Sequence, residues 1–211
     1  MKQFIKEKIL PLSLTAFVLL VDQISKAFIA GKWVFDPDFP SKYRYDPIAQ
    51  VFGNDFLQII HVRNPAIAFS MGNSLPEMIK PVLFIIVPIL VLIFLIAYYF
   101  RSSEFTWIQR WAAAGIIGGG FGNLIDRVFR PDGVVDFIDV KFYGIFGWER
   151  WPTFNAADSA VVVCCIILFT TMLFTFKKKE KDEKKVKEEM EEKKEIVEME
   201  EKESPKEYPN E

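Results

Sequence analysis

Histidine and cysteine are almost missing from this 211-residue chain, which has only His61 and the adjacent pair Cys164–Cys165. Neither a disulfide framework nor a zinc site of clustered thiolates and imidazoles can be built from so few ligands. An excess of one charge is missing too. Lys and Arg number 26 against 28 Asp and Glu, a formal net charge of −2, without the basic surplus that nucleic-acid binding needs. No serine stands in a Gly-x-Ser-x-Gly elbow, and one histidine cannot make His-Glu-x-x-His, so serine-hydrolase and zinc-peptidase signatures are absent. Ser25 and Lys26 make a poor dyad, because adjacent helical residues point about 100° apart. No metal and no cofactor are expected.

What remains is hydrophobic, at 51% of residues, yet 26% are charged. The conflict resolves on mapping: residues 177–211 hold 25 of the 54 charged residues. The chain is two materials, an apolar body over 1–176 and a Lys/Glu tail over 177–211. Pro81 to Phe100 carries no charge, and neither do the residues between Asp158 and Lys177. Hydrocarbon about 30 Å thick takes roughly 20 helical residues at 1.5 Å each, so each run fits one span. Trp111 to Ile125 is a shorter run, rich in Gly and Ala. Ile9 to about Ala30 is apolar except for Asp22 and Lys26. The pattern predicts an all-α membrane protein with four transmembrane helices, at about 8–30, 79–100, 107–127 and 156–176. A cleaved signal peptide is the alternative for the first run, but no small-residue cleavage site follows it.

Lys2, Lys6 and Lys8, then Arg101 and Arg110, then Lys177 to Lys179 fall on one side of such a bundle. That side is the cytoplasm by the bias of basic residues, with both termini there and the long connections outside. Residues 56–62 have strand composition, and the segment around 50–70 is expected to form a small extracytoplasmic β-like platform. The tail alternates Lys and Glu blocks and is either a solvated helix or disordered. Gly118 to Gly122 lies inside an apolar run and suits close helix packing better than phosphate binding.

Five carboxylates near span ends stand out: Asp22, Asp126, Asp136, Asp139 and Asp158. Such a group costs about 2.5–3.5 kcal/mol at a helix centre, so it must be paired or useful. Asp22 and Lys26 stand one turn apart and read as a structural pair. Asn123-x-x-Asp126 closes the third run and Asn155-x-x-Asp158 opens the fourth, each stacking two polar side chains on one helix face. Asp126-Arg127 reads as an anchor supporting Asp136, which lies between the two motifs in Val134 to Asp139. Three acids should therefore meet at one membrane depth, where neighbouring carboxylates share a proton. A carboxylate beside a carboxylic acid can activate water and protonate an amide without a metal. Asp158, in the first turn of its helix, suits the base, and Asp136 the acid.

Five ordered motifs over residues 22–158 resemble the lipoprotein signal peptidases, the type II signal peptidases of bacteria. They are Asp22-Gln23-x-x-Lys26, His61 to Ser70, Gly122 to Arg127, Val134 to Ile138, and Phe154 to Ser159. The resemblance implies an aspartyl endopeptidase of the cytoplasmic (inner) membrane. It would remove the signal peptide from prolipoproteins, cutting before a diacylglyceryl-modified cysteine. It also implies that Asp136 and Asp158 are catalytic, that Asn64, Asn123, Arg127 and Asn155 line or brace the site, and that Asp126 supports it. The expected partners are such precursors and membrane lipids, with no nucleic acid, and the expected state is a monomer. The family usually has glycine two residues after Asn64, where this chain has Ala66, and the stretch from Gly31 to Val51 is longer than the family leads one to expect. A general intramembrane aspartyl protease and a four-span transporter whose acids bind protons or cations are the competing readings.

Overall fold

A computed structural model describes residues 1–34, 43–53, 55–65, 76, 78–130 and 132–203. The elements run α1 (Lys2–Phe4) with a π-helical continuation (Ile5–Ile9), α2 (Leu12–Val34), β1 (Tyr43–Phe52), β2 (Leu57–Asn64), a π-helical turn (Val82–Ile86) leading into α3 (Val87–Arg101), α4 (Trp107–Phe129), β3 (Val134–Val140) and α5 (Ala156–Glu203). The architecture is mostly helical with one small antiparallel sheet of order β1-β2-β3. The chain divides into two compact units, Met1–Leu168 and Phe169–Glu211.

The first unit is built around α4. Thr106 starts that helix by accepting from the Gln109 amide, while the Gln109 side chain accepts from the Thr106 amide. This reciprocal cap satisfies two amides that a helix start otherwise leaves open. Glycines then let neighbouring backbones in. A methyl at Gly118 would lie 2.8 Å from the Thr15 carbonyl oxygen of α2, and one at Gly119 would lie 2.5 Å from the Ala157 carbonyl oxygen of α5. The glycine cluster is thus a packing surface against two helices, as the apolar run around it led us to expect.

α2 is polar inside and apolar outside. Val18, Asp22, Lys26 and Ile29 are buried along one stripe, while Phe17, Leu20, Val21, Ile24 and Phe28 are 42–65% exposed. Among the described residues, only Val82–Arg101 and Ala156–Glu188 are helices long and apolar enough to cross a membrane on length and composition. α2 and α4 are not among them; α2 carries Asp22 and Lys26 within it, and α4 carries Arg110, Asp126 and Arg127.

The expected platform around 50–70 is a larger object than its strand-like residues foretold. β2 begins at Leu57, β1 lies before it, and the third strand comes from 134–140. β1 is the edge strand, and its pairing with β2 is irregular between Arg44 and Ala49, the stretch that contains Pro47. Proline cannot donate to a ladder, which confines it to such edges and bulges. Ala66 and the rest of the motif to Ser70 lie outside the described residues, as does part of the segment from Gly31 to Val51. In the second unit α5 remains helical to Glu203, with an exposed Lys184–Glu180 pair at 3.0 Å, so the described part of the tail is helical.

Candidate active site

Backbone pairing brings the polar motifs together. Val62 of β2 faces Asp136 of β3, and Asn64 is two residues further along the same strand face. That diagonal lets the Asn64 amide donate to Asp136 Oδ2 at 2.9 Å. The other edge of β3 meets the chain just before α5: the amides of Phe137 and Ile138 donate to the Phe154 carbonyl at 3.0 and 2.8 Å. Asn155 is thereby held beside the strand, and its Nδ2 donates to Asp136 Oδ1 at 2.7 Å.

Asn155 is also the residue immediately before α5, and Asp158 is the third residue of the helix. The Asp158 amide donates to Asn155 Oδ1 at 3.0 Å, and the Asn155 amide donates to Asp158 Oδ2 at 3.1 Å. This closed ring is a helix cap in the sense of a capping box, with Asn and Asp in the two roles. The remaining Asp158 oxygen accepts from Asn123 Nδ2 at 2.7 Å. Asn123 Oδ1 in turn accepts from Asn155 Nδ2 at 3.0 Å and from Lys26 Nζ at 2.9 Å. Asp136 and Asp158 are therefore joined through two amide side chains whose orientations are fixed by what they bond.

Beneath this lies a fully buried charge cluster. Lys26 Nζ sits 2.8 Å from Asp22 and 3.2 Å from Asp126, with all three side chains inaccessible. Arg130 approaches the other Asp126 oxygen at 3.6 Å. Asp126 Oδ2 accepts from the Val135 amide at 3.1 Å, anchoring β3 one residue before Asp136. Asp22 Oδ1 accepts from the Ala157 amide at 3.0 Å, anchoring α5 one residue before Asp158. The two structural acids thus each hold the backbone next to a site acid. Arg127 is half-buried and acts through charge, within electrostatic reach of Asp158, Asp136 and Asp126.

Asp136 is 3% exposed, and its pKa is pushed up to about 7, first by burial and then by the Asp158 charge, against the bonds from Asn64 and Asn155. A carboxyl group there carries a proton in a large share of molecules at neutral pH. Asp139 takes a different place. It pairs with Arg150 at 2.6 Å, which also reaches the Asp55 carbonyl at 3.1 Å, away from the cluster. Gln23 carries a role that sequence reasoning left unassigned. Its Nε2 lies 3.1 Å from Asp22 Oδ2, 3.0 Å from the Gly122 carbonyl and 3.1 Å from Asp126 Oδ1, bridging α2 to α4. Its position beside Asp22 in the first motif was the available signal.

A family model described as signal peptidase (SPase) II matches residues 14–174. The chain belongs to the signal peptidase II family. Similar proteins include the lipoprotein signal peptidase of Treponema pallidum, 47% identical over 156 residues, covering 74% of this chain and 78% of that one. That of Treponema denticola is 47% identical over 74% of this chain and 84% of its own. Two solved bacterial membrane enzymes, determined by the in meso method at 2.3 and 1.9 Å, share the fold with TM-scores of 0.61 and 0.59. Both are 28% identical over 77% of this chain, covering 87% and 92% of theirs. As a signal peptidase II family member the chain is a membrane peptidase, and the cluster of polar groups at the sheet–helix junction is its candidate active site.

Proposed function

We propose that this peptidase removes the signal peptide from bacterial prolipoproteins, cutting before a diacylglyceryl-modified cysteine, with Asp136 and Asp158 as its catalytic acids. The observation that carries the reading is the link Asp136–Asn155–Asn123–Asp158, with Asp136 shifted to about 7 beside a second carboxylate. Asp158 begins as the base that takes a proton from water. Asp136 begins protonated, donates to the scissile carbonyl, and the proton passes to the leaving nitrogen as the C–N bond breaks. Asn64 and Asn155 orient Asp136; Asn123 orients Asp158; Asp22, Lys26, Asp126 and Arg127 brace them.

The body, residues 1–176, spans the cytoplasmic membrane four times with both termini inside and the acid site at the outer face, working as a monomer. Support for α2 as a span is its inverted character. Five large apolar side chains face outward, too much apolar surface for water, while its charges are neutralised within. α4 is buried among its neighbours, which excuses its Gly and Ala content from matching lipid. An acid site at the membrane surface meets a substrate that is part lipid and part apolar helix without extracting it.

The test is cleavage of a diacylglyceryl-modified precursor peptide by purified protein in detergent. Asp136→Asn and Asp158→Asn should each lower kcat by about a thousandfold, within the usual range for losing general acid–base catalysis. Cleavage that survives either change in a folded variant refutes the assignment. Equal cleavage of an unlipidated precursor would refute the substrate and point to a general intramembrane protease.

A further inference from the structure

Far along α4 from the acid cluster, a cavity of about 600 Å³ opens between the N-terminal segment and the α3–α4 connection. Lys2 and Lys6 line one wall, and Ser103, Phe105, Trp107 and Arg110 the other. Arg110 and Asn123 stand on the same helix, about 20 Å apart at 1.5 Å per residue, so this cavity is separate from the candidate active site.

Its charge is unbalanced. Arg110 is 4% exposed, donates to the carbonyls of Tyr99 at 3.1 Å and Ser102 at 2.9 Å, and lies against the rings of Tyr99 and Phe105. Among the described residues no carboxylate pairs with it. A buried cation without a counter-ion is costly, and an anion in the adjoining cavity would offset that cost. Lys2 and Lys6 stand one helical turn apart and add two charges on one side. Glu7 also borders the cavity, but it is a single acid against three cations, and it accepts from Gln3 Nε2 at 2.9 Å. The positive end of α4, capped at Thr106, lies at the same place.

The surroundings select among anions. Trp107 and Ile108 are 56% and 51% exposed, and Phe4 and Ile5, on the same short segment as the two lysines, are each 50% exposed. Aromatic and aliphatic side chains flanking basic ones mark the headgroup level of a bilayer. We propose that this cavity binds the headgroup phosphate of one anionic glycerophospholipid, from the leaflet opposite the acid site. The leaflet, though not the binding site, rests on the four-span reading.

Binding is tested with the full-length protein in neutral detergent, titrated with phosphatidylglycerol, phosphatidylcholine or inorganic phosphate and read by native mass spectrometry. One phosphatidylglycerol should be retained saturably, and neither of the other two. The double variant Lys2→Gln/Lys6→Gln should bind it about thirtyfold more weakly. Lys177→Gln/Lys178→Gln, with the same loss of charge elsewhere, should bind as the wild type. Both variants should still cleave precursor peptide, which shows that they are folded. Unchanged binding by the Lys2/Lys6 variant, or equal retention of phosphatidylcholine, overturns the proposal. Inorganic phosphate displacing the lipid at equal concentration overturns the lipid assignment in favour of a free anion. The leaflet is tested separately by Ser103→Cys, which should resist a membrane-impermeant maleimide in intact cells. Labelling there would overturn the leaflet while leaving the binding result standing.

Discussion

Asp136 links the described geometry to a measurable pH dependence. Its carboxyl titrates near 7 because burial and the neighbouring Asp158 disfavour its charge. If it must begin protonated, kcat should fall as pH rises through about 7. The only histidine does not confuse this limb, since burial and the charges of Arg63 and Arg130 push His61 down to about 4. A pH–rate profile that stays flat from 6 to 9, with chemistry rate-limiting, would contradict the assigned role. Lys26 gives a second expectation. It neutralises two carboxylates that water cannot reach, so Lys26→Met should destabilise the fold by about 3–5 kcal/mol. Chemical denaturation in detergent measures that loss. Several residues of the candidate site could be nominated from sequence because they belong to short motifs whose spacing has a structural reason: i,i+4 for Asp22–Lys26, i,i+3 for Asn155–Asp158. Gln23 was less legible, because an uncharged side chain in an apolar helix announces no partner until α4 is packed beside it.

At the scale of elements, the glycines of α4 set how closely three helices approach. Gly119→Ala would drive a methyl into the Ala157 carbonyl, and the expected cost is about 1–3 kcal/mol, since a backbone atom cannot rotate away. Gly31→Ala, with nothing among the described residues within 4 Å of the added methyl, should be neutral or stabilising by up to about 1 kcal/mol. Comparing the two unfolding midpoints separates packing from helix propensity. The long uncharged runs that became α3 and the start of α5 were readable from hydropathy alone. The sheet was not. β1 contains Asp46 and Pro47, which argue against a strand, and it is tolerated only at an edge with an irregular register. Val134–Val140 reads as a buried segment without clear alternation, because both of its faces are covered, four of its first residues being buried in succession.

For the whole molecule, the separation into body and tail has a direct test. The matched family region ends at residue 174, and the second compact unit begins at Phe169. Deleting residues 180–211 should leave cleavage of the lipid-modified precursor within about twofold of the full chain. A large loss would give the tail a part in the reaction. The charge map divides the chain at residue 177 instead, where the Lys/Glu segment begins, because a segment with so little apolar surface cannot form a core. α2 and α4 were harder to read than α3 and the start of α5. Asp22 and Lys26 of α2 and Asp126 of α4 are buried against one another, and hydropathy along the chain sees such charges without their partners.

The ring between Asn155 and Asp158 has a consequence for drug resistance. One carboxylate fastens the first turn of α5 and, in the proposed role, faces the substrate. A compound gripping that group would meet a target with few escape routes, because a substitution that loosened the inhibitor would also unfasten the helix and disable the enzyme.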